Sequence, residues 1–228
     1  MRTPQVVLQA LICAKKLQDR LRKIKVYYKN IYYIIFSHHM SKSSSDCFMQ
    51  KVTELQQLYY STNTKHTFLK KQQKNECANV VSNLVGTNNM LNHCIYTFDG
   101  YKVYIDYTIF KTFVCPDNYN LIVDYFMNII HTIINEYGRY QLYVNLQTLT
   151  ISALERYRSV IMQLSSRCVA DQIEPFIEIF QIHNAPSFLT ATSSLLSPFM
   201  PDSVKNKIVF VNKNDSNNLP DMISKKIT

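Results

Sequence analysis

The side chains able to do chemistry in this chain are scattered along it. The histidines are His38, His39, His66, His93, His131 and His183, and the cysteines are Cys13, Cys47, Cys77, Cys94, Cys115 and Cys168. Zinc takes such ligands from short, paired runs that can close a tetrahedron, and neither an HExxH helix nor a CxxC pair occurs, so no metal site is expected. A serine nucleophile needs a GxSxG elbow to hold it beside a base, and none is present. Backbone cradles for phosphate need glycine-rich loops, yet Gly86, Gly100 and Gly138 are the only glycines, and neither GxGxxG nor GxxxxGK(S/T) exists. Dinucleotide-binding and P-loop enzymes are excluded on that ground. No catalytic residue and no cofactor is assigned, and the chain is expected not to be an enzyme. His183, at a strand end, and Cys94, within a strand, sit where sites gather. Ordinary packing accounts for each: a histidine bonded to a neighbouring loop, and a thiol acting as a small hydrophobe. His131 falls on a polar helical stripe and is expected in water.

Composition narrows the class. A length of 228 residues and a hydrophobic fraction of 46% suit one well-buried core with an appendage, and no run approaches the roughly 20 apolar residues of a membrane-spanning helix. The net charge of +9 suggests nucleic acid until it is placed along the chain. Residues 1–39 carry eight basic side chains against the single acid Asp19, so seven of the nine net charges lie there. The body is nearly neutral, and attraction to phosphates belongs to residues 2–29, which suit an anionic membrane surface better than a nucleic acid. Unpaired cysteines without a cleavable leader are expected to be reduced thiols of a cytoplasmic protein, with peripheral membrane attachment through the basic segment.

The elements that would position any site follow from periodicity. Pro4 to Phe36 reads as a basic amphipathic helix, with Val7, Leu11, Leu17, Leu21 and Ile24 near one face, and Ser41 to Ser45 reads as a linker. Met40 opens that linker and offers an alternative start. Phe48, Val52, Leu55 and Leu58 place one or two helices over residues 47–85, ending in a break at Gly86–Asn89. Asp99-Gly100 supplies the positive φ values of a tight two-residue turn between Cys94-Ile95-Tyr96 and Val103-Tyr104-Ile105, so His93–Asp106 reads as a β-hairpin. A helix from Asn118 to Asn135 turns Ile122, Phe126, Ile129, Ile130 and Ile133 inward and ends at Gly138. Tyr140–Leu146 is a strand. Ser152-x-x-Glu155 is a capping box for the next helix, whose inner face carries Leu154, Tyr157, Ile161, Leu164 and Cys168. A strand over Phe176–His183 breaks at Pro186 into a helical segment through Leu196, and Lys207–Val211 closes the series. From residue 101 onward the order is β-α-β-α-β-α-β, which predicts an α/β fold with a mainly parallel sheet flanked by helices. The divisions expected are 1–40, a basic amphipathic extension; 41–90, a helical N-terminal segment; and 91–228, the α/β domain.

Three stretches resemble the CRAL-TRIO family: Ile179-Phe180-Gln181-Ile182-His183-Asn184-Ala185-Pro186-Ser187-Phe188, then Leu195-Leu196-Ser197-Pro198-Phe199-Met200, then Lys207-Ile208-Val209-Phe210. In that family a strand ends in an I-x-N-x-P turn, a helix leads to a gate, and a KI pair opens the next strand. Asp99-Gly100-Tyr101-Lys102-Val103-Tyr104-Ile105 is similar to its opening strand. The resemblance covers roughly Leu91 to Leu219 and is carried by order and spacing more than by any single motif. It departs from the family in lacking a Leu/Arg-rich helical companion over residues 47–90 and a Gly-Gly turn after Leu219-Pro220. The resemblance implies non-enzymatic binding of a phospholipid or other hydrophobic ligand in an apolar cavity, with Leu195, Leu196, Phe199 and Met200 as gate and Tyr104, Ile105, Phe126 and Ile130 as wall. The alternative is a protein-interaction module on a divergent form of the same fold, its cavity filled by large side chains such as Phe126, Tyr143 and Phe180.

Overall fold

A computed structural model describes residues 45–63, 69–191, 200 and 202–211. The chain divides into two compact units, Met1–Phe68 and Leu69–Thr228. In the first, helix α1 spans Ser45–Thr62, and Val52, Leu55 and Tyr59, spaced by three and four, are buried. The basic helix expected over residues 4–36, the linker and Met40 lie outside the described residues.

The second unit opens with helices α2, Lys70–Val85, and α3, Thr87–Cys94, hinged at Gly86, whose φ of +90 lets one residue end the first helix and begin the second. The break expected at Gly86–Asn89 is therefore a single residue wide, and the helix resumes at once. Its last residue is Cys94, which does not lie in a strand as expected; the buried thiol donates to the Asp106 carbonyl at 3.4 Å. Strands β1, Ile95–Phe98, and β2, Lys102–Asp106, form the hairpin. Asp99 and Gly100 take the positive φ values their types allow, but the loop holds three residues, because Tyr101 turns its carbonyl to the Gln141 amide of the next strand at 3.0 Å. Asp106 accepts from the Thr108 amide at 2.7 Å and caps a short helix, α4, Tyr107–Phe113, that the periodicity did not predict.

Buried Asn118 then fixes the chain's path. Its side chain accepts from the Cys115 amide and donates to the Phe113 carbonyl and the Ser82 hydroxyl. Helix α5, Tyr119–Tyr137, buries Ile122, Phe126, Ile130 and Ile133 as its spacing predicts, leaves Ile129 only half-buried against expectation, and ends at Gly138 in the left-handed region. Strand β3, Tyr140–Asn145, leads to helix α6, Ile151–Ala170. Its cap is Thr150, whose hydroxyl accepts from the Ala153 amide at 3.2 Å, so the predicted box of Ser152 and Glu155 does not form. A single 3-10 turn, Glu174–Phe176, takes the first residue of the predicted strand, and β4 runs Ile177–His183. Helix α7, Ser187–Ala191, helix α8, Asp202–Lys205, and strand β5, Ile208–Phe210, complete the described chain.

The five strands lie in the order β1-β2-β3-β4-β5, with β1 antiparallel to β2 and every later pair parallel. This is the predicted α/β architecture with a mainly parallel sheet. Alternation sorts the side chains: Val103 and Ile105, Leu142 and Val144, Phe180 and Ile182 share one face in register, while Tyr104, Tyr143, Asn145 and His183 share the other. A register shift at Tyr140/Gln141 flips the start of β4, so that Ile177 joins Phe180 and Ile182 on the first face.

Candidate functional site

The first sheet face does not meet its covering helix everywhere. Between them lies a cavity of about 270 Å³, walled almost wholly by hydrocarbon. Its floor is Ile105, Leu142, Val144, Phe180 and Ile182, and its roof is the inward face of α6, Leu154, Tyr157, Ile161, Leu164 and Cys168. Its lining runs beside α6 from Leu154 to Cys168, roughly 21 Å at 1.5 Å per residue. It also follows β3 and its outgoing turn from Tyr140 to Leu146, about 20 Å at 3.3 Å per residue. The lining thus extends about 20 Å along each element, some two-thirds of the length of α6.

The two ends differ chemically. At the carboxyl end of the strands the wall is Tyr107, Phe110, Leu149 and Tyr157, with aromatic rings packed edge to face: Phe110 and Tyr157 have centroids 5.2 Å apart. Arg156 stands behind these rings. Its guanidinium donates to the Tyr157 hydroxyl at 2.5 Å, lies 4.4 Å from that ring's centre and bonds the Tyr107 phenol. Burial pushes both phenols' pKa values upward, and the guanidinium pulls them back. Lys111 is nearby, its ammonium donating to the Thr148 hydroxyl at 2.7 Å and its pKa lowered by burial, helped by Arg156 and opposed by Asp106. At the opposite end stand Ser165, Cys168 and Glu174. Burial pushes the Cys168 thiol up to about 12. Glu174 accepts from the Ser203 hydroxyl at 3.3 Å, and Lys207 donates to the carbonyls of Glu174 and Ile177.

Of the residues named from the sequence as gate and wall, Ile105, Phe126 and Met200 line the cavity. Ile130 shares a helix face with Phe126 but is wholly buried in the packing below it. Tyr104 faces the other side of the sheet, packed with Phe98 and Tyr143. Leu195, Leu196 and Phe199 lie outside the described residues. Phe126 and Phe180 border the space without filling it, and Tyr143 is not on that face. Sequence reasoning overlooked Arg156, Tyr107 and Phe110. A basic residue wedged between inward Leu154 and Tyr157 is the local sign that could have pointed to the first.

The remaining polar groups show no constellation for chemistry. His183 is buried, stacks on Tyr143 and contacts Gln181 Oε1 at 3.2 Å, while its Nδ1 has no partner. His131 is not simply solvated as expected; it pairs with Asp171 at 2.9 Å. Among the described residues no three His, Cys, Asp or Glu side chains are grouped to hold a metal, and no described helix is long and apolar enough to cross a membrane. The five described cysteines are free thiols.

Comparison with known proteins gives three findings. A family profile described as the CRAL/TRIO domain matches residues 27–228. A stretch of 64 residues is 34% identical to the CRAL-TRIO domain-containing protein F28H7.8 of Caenorhabditis elegans, covering 28% of this chain and 16% of that protein. Among solved structures, that of Sfh5 aligns over 80% of this chain and 69% of its own, at 10% identity and a TM-score of 0.43.

Proposed function

The chain belongs to the CRAL/TRIO domain family, a family of lipid-binding domains, and we propose that it holds a phospholipid or other hydrophobic ligand, without chemical change, in the cavity between the sheet and α6. The observation that carries this reading is the hydrocarbon lining of a space that core side chains leave open, since interiors normally close such gaps to about the density of a molecular crystal. Burial of apolar ligand surface supplies the affinity, and an apolar wall offers nothing for bond breaking. The protein-interaction alternative requires the space to be filled, and no described residue favours it over the cavity.

Native mass spectrometry of the purified full chain tests the proposal. The expected result is a co-purified lipid adduct and uptake of labelled lipid from vesicles. Protein that is free of lipid and takes up none would overturn it. The basic segment 2–29 is proposed as the arm that meets an anionic membrane. The expected outcome is salt-sensitive sedimentation with phosphatidylserine vesicles for the full chain and its loss for a chain started at Met40. Equal sedimentation of the two would remove that role from the segment.

A further inference from the structure

Tyr107, Tyr140 and Tyr157 all line the cavity, but their hydroxyls differ in what they meet. Tyr157 donates to the Lys111 carbonyl at 3.2 Å and accepts from Arg156, which also bonds the Tyr107 phenol. Tyr140, at the other end, is only 4% exposed, and its hydroxyl has no hydrogen-bond partner among the described residues. A phenol withdrawn from water without a bond is costly, and this one borders open space.

The topology brings a second such group beside it. Tyr140 opens β3 and pairs with Ile177 of β4, and the turn Glu174–Phe176 leads directly into Ile177. Glu174 lines the same end of the cavity and is held through one oxygen: Ser203 donates to Oε2 at 3.3 Å, while Oε1 is buried without a partner. The Lys207 ammonium is turned to the carbonyls of Glu174, Pro175 and Ile177, away from that carboxylate. Burial raises the pKa of the Tyr140 phenol, and charge on Cys168 and on Glu174 raises it further, so it stays a neutral donor. Tyr140 and Glu174 thus stand close as a donor and an acceptor that do not bond each other. A single hydroxyl both accepts and donates, and so answers the two at once. An ether or ester accepts without donating, and an ionised carboxylate or phosphate meets the charge of Glu174.

We propose that the cavity takes an uncharged lipid alcohol whose hydroxyl accepts from Tyr140 and donates to Glu174, its hydrocarbon lying against the sheet and α6. This rests on the lipid-binding reading above and deepens it by naming the polar group of the ligand and the residues that hold it.

An apolar cavity of about 150 Å³ holds benzene, so about 270 Å³ accommodates roughly a dozen carbons and suits small probes. The test is isothermal titration calorimetry of the delipidated full chain with 1-octanol, its isomer heptyl methyl ether, and menthol. Octanol should bind about tenfold more tightly than the ether, which has the same atoms but no proton to donate; one hydrogen bond to a charged group supports that change. The tighter of octanol and menthol shows whether the alcohol is open-chain or cyclic. Glu174→Gln should bring octanol close to the affinity of the ether. Tyr140→Phe should weaken octanol binding without lowering the urea midpoint, because the lost hydroxyl bonds nothing in the fold. Equal affinities of octanol and the ether in the unaltered chain would overturn the hydroxyl site, since a buried water would then already bridge the pair. A lowered midpoint in Tyr140→Phe would overturn it by showing that the phenol is bonded within the protein. Octanol that fails to bind a chain that co-purifies with lipid would overturn it too and leave the lipid reading standing. If no lipid co-purifies and none of the three probes binds, the lipid reading fails first.

Discussion

Replacing Leu164 with tryptophan would separate a true cavity from a packed core by the sign of its effect on stability. Leu164 lies toward the Cys168 end of the α6 roof, half-buried, with the cavity below it. The substitution adds six non-hydrogen atoms, which occupy about the 150 Å³ that benzene needs and so take roughly half of the channel. Filling an empty apolar space commonly adds about 0.5–2 kcal/mol. For a chain of this size that raises Tm by roughly 1–8 °C, at about 2–4 °C per kcal/mol. The assays are thermal and urea unfolding of delipidated protein, together with binding of the fluorescent fatty acid cis-parinaric acid. The expected result is equal or greater stability with binding reduced at least tenfold, because roughly half of the space is lost. Overpacking a core that is already full costs about 1–3 kcal/mol instead. Destabilisation of that size would refute the geometric reasoning, and so would unimpaired binding in a stabilised variant.

Three further outcomes follow from individual bonds. Asn118→Ala leaves the Cys115 amide and the Phe113 carbonyl buried and unpaired, so urea unfolding should show a loss of about 2–4 kcal/mol; a loss under about 1 kcal/mol would mean water replaces the side chain. Thr150→Ala should cost about 1 kcal/mol of stability and Ser152→Ala less than about 0.5, whereas the reverse ranking would reinstate Ser152 as the cap of α6. Burial lowers the pKa of His183 in the folded chain, so the unfolded chain takes up its proton first as pH falls. The contribution of this group is complete above about pH 6.5 and is lost progressively below it, towards the lowered folded value. The urea midpoint of His183→Gln should therefore fall less steeply than that of the unaltered chain between about pH 7 and 5.5. Parallel curves would show that this histidine titrates alike in both states.

The sequence made the sheet legible because its signals there are local. Asp99-Gly100 has the residue types for positive φ, Gly138 stops α5, and the inward residues of α5 and α6 recur at helical spacing. What it missed was decided by partners far along the chain. The hairpin loop gains a third residue because Tyr101 bonds to Gln141. Cys94 reads as strand by its neighbours Ile95 and Tyr96, yet α3 keeps it. Helix α4, with Tyr107, Ile109, Phe110 and Phe113 in seven residues, has the composition of a strand, and only the cap at Asp106 marks it as a helix. The inward face of α6 was read correctly and forms the cavity roof, but periodicity does not distinguish a face that packs from one that leaves room. Adjacent Tyr104 and Ile105 were both taken as wall, although neighbouring strand residues point to opposite faces and only Ile105 lines the space.

Charge carries the same lesson about position. Seven of the nine net charges lie in residues 1–39, so the total says little about the α/β body. The cation that matters there is Arg156, because cost follows burial: an exposed lysine is neutralised by water and salt, whereas a guanidinium with a buried, unbonded Nε retains a desolvation penalty that two phenols and one ring face offset only in part. Urea unfolding of Arg156→Gln weighs these terms: a gain in stability is expected where the penalty exceeds the bonds to Tyr157 and Tyr107, and a loss would show that those bonds carry the residue.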